Sequence, residues 1–432
     1  QNRLNYLGYI IPYCPEQFAI IKDELTVTPW TLPDYTFKVE SFKLYRLKKN
    51  PKEIILPKYY GLKKYGKPTI DNERKGIPID LKFNGSLKEI QEPVIKKTLL
   101  ELNNNDSCVL SLPCGFGKTI CALWIISLLK VKTLIIVHKT FLMDQWIERI
   151  QQFLPDAKIG IIRQNTVDVE GKDIIIAMLQ SLTVRKVKYP KKIFDSIGFI
   201  CLDECHHIPS QTFSESLFQI GTKKRLGLSA TPRRKDKLDC VLNWFLGDII
   251  EFETAKQKFN TTVRTIKAKY EKTPEVKLNS IGKINLAGLV TDISLEVGRN
   301  NQIIEILMKL IAEKRQILVL SERRKQCLEF DKYFGDISGL YIGGMKSEDL
   351  EKSNKKQLIF ATYSMAHEGY DCPKLDTLLF ATGRSDIIQA CGRIHRKINK
   401  NDPLIVDIHD DLDGLRGQFY KRKSYYKKSN YM

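Results

Sequence analysis

The chain has 432 residues, of which 43% are hydrophobic and 28% are charged, a composition typical of a soluble globular protein with about two to four domains. Lys and Arg number 70 against 50 Asp and Glu, and the formal net charge of +20 favours nucleic acid as the partner over a membrane surface. No apolar run approaches the roughly eighteen residues of a membrane-spanning helix, which excludes such a helix. The ten cysteines include no Cys-x-x-Cys pair, so the sequence predicts reduced thiols in an intracellular protein and argues against structural zinc.

Residues 1–82 predict a small accessory module that is mostly β-structure. They are rich in proline and aromatic residues and carry basic stretches at 48–52 and 58–67. Short alternating pieces, such as residues 36–39, are typical of strands. The module is expected to end near the turn signals at 75–76 and 84–85.

Residues 83–252 predict a first α/β domain, because apolar runs of strand length alternate with helical patterns. Continuous apolar strands separated by helices indicate a parallel sheet that is covered on both faces. The predicted strands are 108–112, 133–137, 174–177, 199–202 and 225–229. One predicted helix starts near Ser86 and has Ile90, Val94 and Leu99 on one face. The other predicted helices are 120–129 and 141–153.

Residues 253–410 repeat this alternation and predict a second α/β domain in tandem with the first, after a hinge at 252–258. The predicted strands are 263–266, 316–320, 340–342, 357–360, 377–380 and 403–406, and the predicted helices are 303–312 and 325–333. The remaining residues, 411–432, form a basic, tyrosine-rich C-terminal tail. We expect its tyrosines to pack on the second domain and its lysines to face solvent.

A glycine-rich loop at residues 112–119 is the strongest local signal, since it lies between a predicted strand and a predicted helix. Gly115 and Gly117 would let backbone N–H groups turn inward, and the dipole of the following helix would favour a phosphate there. Lys118 can reach the β- and γ-phosphates of ATP, and the Thr119 hydroxyl can ligate Mg²⁺. The pattern predicts an ATP and Mg²⁺ site, against the alternative of a chance Gly-Lys-Thr turn. The other loop residues of this predicted site are Pro113, Cys114 and Phe116.

Two acids follow the predicted strand at 199–202. Asp203 would hold Mg²⁺ through water, and Glu204 would orient and deprotonate the attacking water. The alternative is a solvated helix cap. Asp203 lies 85 residues after Lys118, which leaves room for several strands and helices. Both loops can therefore meet at one sheet edge, where such folds bind ligands.

The order of further motifs resembles the superfamily 2 helicases. The sequence Asp-Glu-Cys-His at 203–206 is similar to the family's DEAD and DEAH boxes, and Ser-Ala-Thr-Pro follows at 229–232. Residues 361–362 and 368–371 resemble motif V, and residues 389–396 match motif VI. The resemblance runs from about residue 87 to 396 and implies two tandem RecA-like domains, in which closure around ATP moves a nucleic-acid strand.

The resemblance also implies roles for individual residues. Gln91, assisted by Lys88, would read adenine, and His206 would couple the nucleotide to Ser229 and Thr231. The residues that would complete the nucleotide site from motifs V and VI are Gly369, Asp371, Gln389, Arg393 and Arg396, with Arg396 as the arginine finger and Arg393 beside it. The residues that would contact the nucleic-acid backbone are Lys139, Thr140, Gln180, Ser321, Arg323 and Thr362.

The sequences at 112–119, 137–142 and 362–371 resemble the XPB and UvsW branch of this superfamily. They resemble still more closely the transcript-release helicases of poxviruses and other large DNA viruses. This branch implies a monomeric, DNA-dependent ATPase in viral transcription or in DNA repair and recombination, with RNA polymerase or other transcription proteins as partners. A viral member would act in the host cytoplasm or the virion. Two alternatives stay open: an RNA helicase, whose ATPase activity RNA would stimulate, and a nucleic-acid-binding subunit with weak or partner-dependent ATPase activity.

Overall fold

The computed structural model describes residues 1–29, 40–50, 52–113, 115–183, 189, 191–207, 211–230, 238–252, 259–367, 372, 374–395 and 399–431. The chain divides into two compact units, Gln1–Thr254 and Ala255–Met432. The predicted strand at 36–39 and most of the predicted hinge lie outside the described residues, as do five predicted site residues: Cys114, Thr231, Gly369, Asp371 and Arg396.

The strands in chain order are β1 (Arg3–Asn5), β2 (Gly8–Pro12), β3 (Thr26–Val27), β4 (Phe42–Lys43), β5 (Arg46–Lys48), β6 (Glu53–Leu56), β7 (Ile70–Asn72), β8 (Ser107–Ser111), β9 (Thr133–Val137), β10 (Ile159–Arg163), β11 (Thr166–Val167), β12 (Ile174–Met178), β13 (Phe199–Leu202), β14 (Lys224–Ser229), β15 (Ile249–Glu251), β16 (Thr262–Lys267), β17 (Ile317–Ser321), β18 (Ser338–Tyr341), β19 (Leu358–Thr362), β20 (Thr377–Phe380) and β21 (Leu404–His409).

The helices are α1 (Pro15–Glu24), α2 (Lys58–Tyr65), α3 (Glu92–Asn104), α4 (Lys118–Leu129), α5 (Thr140–Phe153), α6 (Leu179–Thr183), α7 (Gln211–Ile220), α8 (Asp239–Leu246), α9 (Leu286–Leu295), α10 (Val297–Ala312), α11 (Arg324–Phe334), α12 (Ser347–Asn354), α13 (Tyr363–His367), α14 (Ile388–Cys391) and α15 (Arg416–Lys428). Short 3₁₀ turns lie at Lys191–Phe194, Cys205–His207, Gly335–Ile337 and Gly392–His395. Among the described residues, no helix has the length and apolar character that crossing a membrane requires.

The N-terminal strands form a small mixed sheet in the order β5-β6-β2-β1-β7, which confirms the predicted N-terminal β module. Its apolar side chains do not form a core of their own. Tyr9, Ile54 and Leu56 belong to the same hydrophobic cluster as Ile136 of β9 and Phe245 of α8. The module therefore covers one face of the sheet that follows it in the sequence.

The large sheet of the first unit has the order β11-β10-β12-β9-β13-β14-β8-β15. Neighbouring strands are parallel except β10 and β11. Successive side chains of β9 point to opposite faces: Leu134 and Ile136 join one hydrophobic cluster, and Ile135 and Val137 join the other. This sheet is buried on both faces, as the continuous apolar runs predict.

One predicted helix starts later than expected. The helix expected from Ser86 begins at Glu92, and Ile90 is 58% exposed instead of facing the core. Pro93 in the first turn is compatible with this start, since proline has no N–H to donate there. The buried face of α3 carries Val94, Ile95, Thr98 and Leu102.

The second unit contains a parallel sheet in the order β16-β21-β20-β17-β19-β18, which confirms the second α/β domain. The C-terminal tail forms helix α15. Its residues Phe419 and Tyr426 are buried, whereas Lys421, Lys423 and the lysines that follow are exposed. The structure thus packs one tyrosine tightly and leaves another, Tyr420, 57% exposed.

Candidate nucleotide and nucleic-acid sites

The glycine-rich loop connects β8 to α4 at the carboxyl edge of the large sheet. Gly115 has φ 82° and Gly117 has φ 95°, and L-residues rarely adopt these left-handed conformations. A Cβ atom on Gly117 would lie 2.7 Å from Gln91 Nε2. In the described part of the chain, no side chain caps the first turn of α4, so the backbone amides there can donate to an anion. Pro113 is exposed just after β8, and Phe116 is buried.

Gln91, at the start of α3, is hydrogen-bonded to this loop. Its amide Nε2 donates to the Phe116 carbonyl at 2.9 Å, and its Oε1 accepts from the Lys88 backbone N–H at 2.9 Å. The side chain is 2% exposed, whereas Lys88 is exposed. The structure thus brings Gln91 against the glycine-rich loop, and adenine recognition by Gln91 and Lys88 stays a prediction.

Glu204 lies in a sharp turn after β13. Its φ of 48° is unusual for a residue with a side chain, and backbone strain of this kind concentrates at functional sites. The Lys118 ammonium donates to Glu204 Oε1 at 3.1 Å. Burial alone would raise the pKa of Glu204, but the Lys118 charge and the neighbouring His206 together hold that pKa below its ordinary value. Glu204 is therefore a carboxylate at neutral pH.

Asp203 differs from Glu204 in its surroundings. The Trp146 indole N–H donates to Asp203 Oδ2 at 2.9 Å, and the Glu204 backbone N–H donates to Oδ1 at 3.0 Å. Burial, and next the adjacent Glu204 charge, raise the pKa of Asp203. Trp146 is 2% exposed on the buried face of α5. The sequence places Trp146 in the predicted helix at 141–153 but gives no sign that its N–H contacts this acid.

His206 lies between Glu204 and the end of β14. Its Nδ1 is 3.0 Å from Ser229 Oγ, a hydrogen bond whose direction depends on the tautomer. The same nitrogen is 3.3 Å from Glu204 Oε2. Because β13 and β14 are adjacent parallel strands, their carboxyl ends bring His206 and Ser229 together, as their predicted coupling requires. Thr231, the other predicted member, is outside the described residues.

The donor atoms at this edge suit Mg²⁺. This ion prefers carboxylate, hydroxyl and water oxygens and usually keeps several waters. The Asp203 carboxylate and the Thr119 hydroxyl at the start of α4 are both part-buried and supply such oxygens. Among the described residues Glu204 Oε2 accepts no hydrogen bond, although His206 Nδ1 lies 3.3 Å away, so this oxygen has room to accept a bond from water.

The predicted nucleic-acid contacts of the first unit lie together at its sheet edge. Lys139 and Thr140 follow β9, Gln180 follows the adjacent β12, and Gln180 Nε2 donates to the His138 carbonyl at 2.6 Å. Thr140 and Gln180 are exposed. Side chains near the ends of neighbouring parallel strands can contact one backbone together.

Two of the three corresponding residues of the second unit, Ser321 and Arg323, are engaged internally, and Thr362 is part-exposed. Ser321 ends β17 opposite Thr362 of β19, but it is 1% exposed and its Oγ donates to Gln326 Oε1 at 2.6 Å. The Arg323 guanidinium donates to the Ala287 carbonyl of α9 at 2.7 Å. Contact of these side chains with nucleic acid would replace these bonds. From motif VI, the structure describes Gln389 in α14 and Arg393 in the turn that follows.

Comparison with known proteins identifies relatives among large DNA viruses. Residues 84–234 match the family described as the res subunit of type III restriction enzymes. A protein of Acanthamoeba polyphaga mimivirus, provisionally named as an ATP-dependent RNA helicase, is 34% identical across 100% of this chain and 86% of its own length. A protein of Invertebrate iridescent virus 6, provisionally named as a helicase, is 29% identical across 81% of this chain and 83% of its own length. The crystal structure of T4 UvsW is similar at a TM-score of 0.41 and 18% identity, across 100% of this chain and 98% of that protein.

Proposed function

Because the chain belongs to the superfamily 2 helicases, a class of nucleic-acid-dependent ATPases, we propose that it is a DNA helicase or translocase. In this proposal, ATP hydrolysis drives movement on DNA during viral transcription, including transcript release, or during DNA repair and recombination. The protein would work as a monomer in the host cytoplasm or the virion, with RNA polymerase or other transcription proteins as partners.

One observation carries the ATPase part of this proposal: the Lys118 ammonium is 3.1 Å from Glu204 Oε1. Lys118 begins α4 after the glycine loop, and Glu204 lies in the turn after β13, 86 residues further along the chain. The fold thus places the cation suited to phosphates beside the acid suited to activating water. A structural ion pair would not need the strained backbone at Glu204 or the open amides of α4.

The roles that we assign follow from this geometry. The α4 amides and Lys118 would bind the ATP phosphates, and Glu204 would accept the proton of the attacking water. Mg²⁺, when bound, would neutralise charge on the phosphates. Thr119 and Asp203 would hold the ion. Trp146 would keep the Asp203 carboxylate in place through its indole hydrogen bond, and His206 with Ser229 would transmit the state of the site along β14.

The preference for DNA rests on the motif sequences, and the net charge of +20 supports a nucleic-acid partner of either kind. A second candidate, an RNA helicase, is favoured by the provisional name of the mimivirus relative. The third, a binding subunit with weak ATPase activity, is disfavoured because Lys118 and Glu204 are both present and in contact.

Steady-state ATP hydrolysis tests the proposal. Rates are measured at one fixed low salt concentration with no nucleic acid, duplex DNA, single-stranded DNA or RNA, because backbone binding depends steeply on salt. Stimulation by DNA well above that by RNA is expected. Preferential stimulation by RNA would establish the second candidate, and hydrolysis that no nucleic acid stimulates would overturn the proposal. The Glu204→Gln protein, purified in parallel, controls for contaminating ATPases.

A further inference from the structure

Helix α15 is held rigidly on the second unit by a buried ion pair. Arg422 donates from Nε and Nη2 to the two oxygens of Asp407, each at 2.9 Å, and the Tyr426 hydroxyl donates to Asp407 Oδ2 at 2.8 Å. Arg422 is 3% exposed and Asp407 is fully buried. A Cβ atom on Gly383 would lie 2.6 Å from Arg422 Nη1, so a glycine is needed where the guanidinium crosses the backbone.

The solvent side of α15 carries four lysines over a wide arc. At about 100° per residue, Lys421 and Lys428 lie on one flank of this side, and Lys423 and Lys427 lie on the other. Lys421, Lys423, Lys427 and Lys428 are exposed, and in the described ranges none of them makes an ion pair or a side-chain hydrogen bond. The other exposed cation of the helix, Arg416, is neutralised by Asp411 and Asp413. No Asp or Glu follows Asp413 in the sequence. We call the four exposed residues Lys421, Lys423, Lys427 and Lys428 the lysine face.

We propose that the lysine face is a binding surface for the phosphate backbone of duplex DNA, outside the helicase motifs. This proposal rests on the proposed function for the identity of the polyanion. The four ammonium groups pair with no acid in the part of the chain that the structure describes, so they concentrate positive charge on a well-anchored helix, and the phosphates of a polyanion would neutralise that charge. Lys421 and Lys428 are seven residues apart, so the charges extend over about 10 Å of the helix.

The shape of the surface favours a duplex over a single strand. Sites for single strands combine a groove with aromatic rings on which successive bases stack. The lysine face is the convex side of a helix. Of the four rings of α15, Tyr420 is exposed, Tyr425 is half-buried, and Phe419 and Tyr426 are buried, so the surface offers no row of stacking rings. Point charges on a convex surface suit contacts with phosphates, which carry no sequence information. The lysine face would therefore add affinity and no base specificity.

Equilibrium binding without nucleotide tests the proposal, with the full chain and fluorescent duplex DNA, single-stranded DNA or RNA of one length. The variant changes all four lysines to Gln and keeps Arg422. We expect its affinity for duplex DNA to fall by at least about tenfold near 0.1 M salt. We also expect the slope of log K against log salt to become less steep, by about 0.9 for each phosphate that the variant no longer neutralises. Affinity for single strands should change much less.

A matched control removes four other exposed lysines of the same unit, Lys272, Lys309, Lys332 and Lys355, each of which has an acidic residue within four positions in the sequence. It has the same net charge as the test variant, so an equal loss of affinity in both would overturn the proposal. An unchanged salt slope in the test variant, or a loss confined to single strands or RNA, would also overturn it. Thermal melting of both variants checks that they fold. If hydrolysis is not stimulated but the test variant still loses duplex affinity, the proposed function fails and the lysine face stands.

Discussion

Removing the indole hydrogen bond from Asp203 is the sharpest test of the candidate site. Trp146→Phe keeps an aromatic ring in the core and deletes the N–H that donates to Asp203 Oδ2 at 2.9 Å. Burial and the Glu204 charge already raise the pKa of Asp203, and the Trp146 hydrogen bond opposes that rise. Deleting the bond should therefore raise the pKa of Asp203 further and favour its protonated form, which binds Mg²⁺ poorly.

The size of the effect follows from the strength of such bonds. A hydrogen bond to a charged group contributes about 1.5–3 kcal/mol, and one pKa unit corresponds to about 1.4 kcal/mol. Asp203 is only part-buried, so we take the lower end of that range, about 1.5 kcal/mol, for the lost stabilisation of the ionised form. Activity that requires ionised Asp203 is lost as the pH falls through the pKa of Asp203. In the variant, the acid limb of the pH–activity profile should therefore move towards neutral pH.

The assay is kcat/KM for ATP as a function of pH, at saturating nucleic acid, with Mg²⁺ varied at each pH. Trp124→Phe is the matched control, because Trp124 is part-buried on α4 and its indole N–H donates no hydrogen bond within the described part of the chain. The role assigned to this hydrogen bond would be refuted if the Trp146→Phe protein had an unchanged melting temperature and the acid limb of its pH–activity profile coincided with those of the wild type and the control.

Three further predictions concern single residues. Glu204→Gln should keep ATP binding, measured by nucleotide fluorescence, and lose at least about 100-fold in kcat because an amide cannot accept the water proton; normal turnover would remove Glu204 from the mechanism. Gly117→Ala should weaken ATP binding more than Gly66→Ala, because both glycines have positive φ but only Gly117 would place a Cβ atom against Gln91; equal ATP affinity of the two variants would contradict this. Burial lowers the pKa of His395 to about 4, so the unfolded chain binds the extra proton and stability should fall by about 2 kcal/mol between pH 7 and pH 5. Denaturant unfolding should show a smaller fall for His395→Asn, and an identical fall would contradict the assignment.

Sequence periodicity predicts the elements that place the site. The apolar run at 133–137 coincides with β9, and the alternation of strands and helices predicts both parallel sheets. These features are local, because each strand buried on both faces must be apolar along its length. The expected helix start near Ser86 is wrong because Ile90 fits a helical pattern but faces solvent. Single hydrophobic side chains are often exposed on protein surfaces, so a hydrophobic residue at a helical spacing does not by itself show that the helix includes it.

The contacts inside the site are beyond sequence reasoning because they join distant segments. Trp146 and Asp203 are 57 residues apart, and the hydrophobic spacing of α5 explains the burial of Trp146 without its hydrogen bond. The shared core of the N-terminal module and the large sheet is equally non-local. Composition predicts a β module at residues 1–82, but only tertiary packing decides which surface it covers.

The pairing of Lys118 with Glu204 would link nucleotide binding at the proposed site to the basicity of the acid. Burial raises the pKa of Glu204, and the Lys118 charge is the largest influence that lowers it. If Lys118 moves to the phosphates of ATP, that influence weakens and the pKa of Glu204 rises. A carboxylate with a higher pKa is a stronger base, and its Oε1 no longer accepts a bond from Lys118 and can accept one from water. We therefore expect Glu204 to be a weak base without nucleotide and to gain basicity when ATP binds, which would limit water activation to the loaded site.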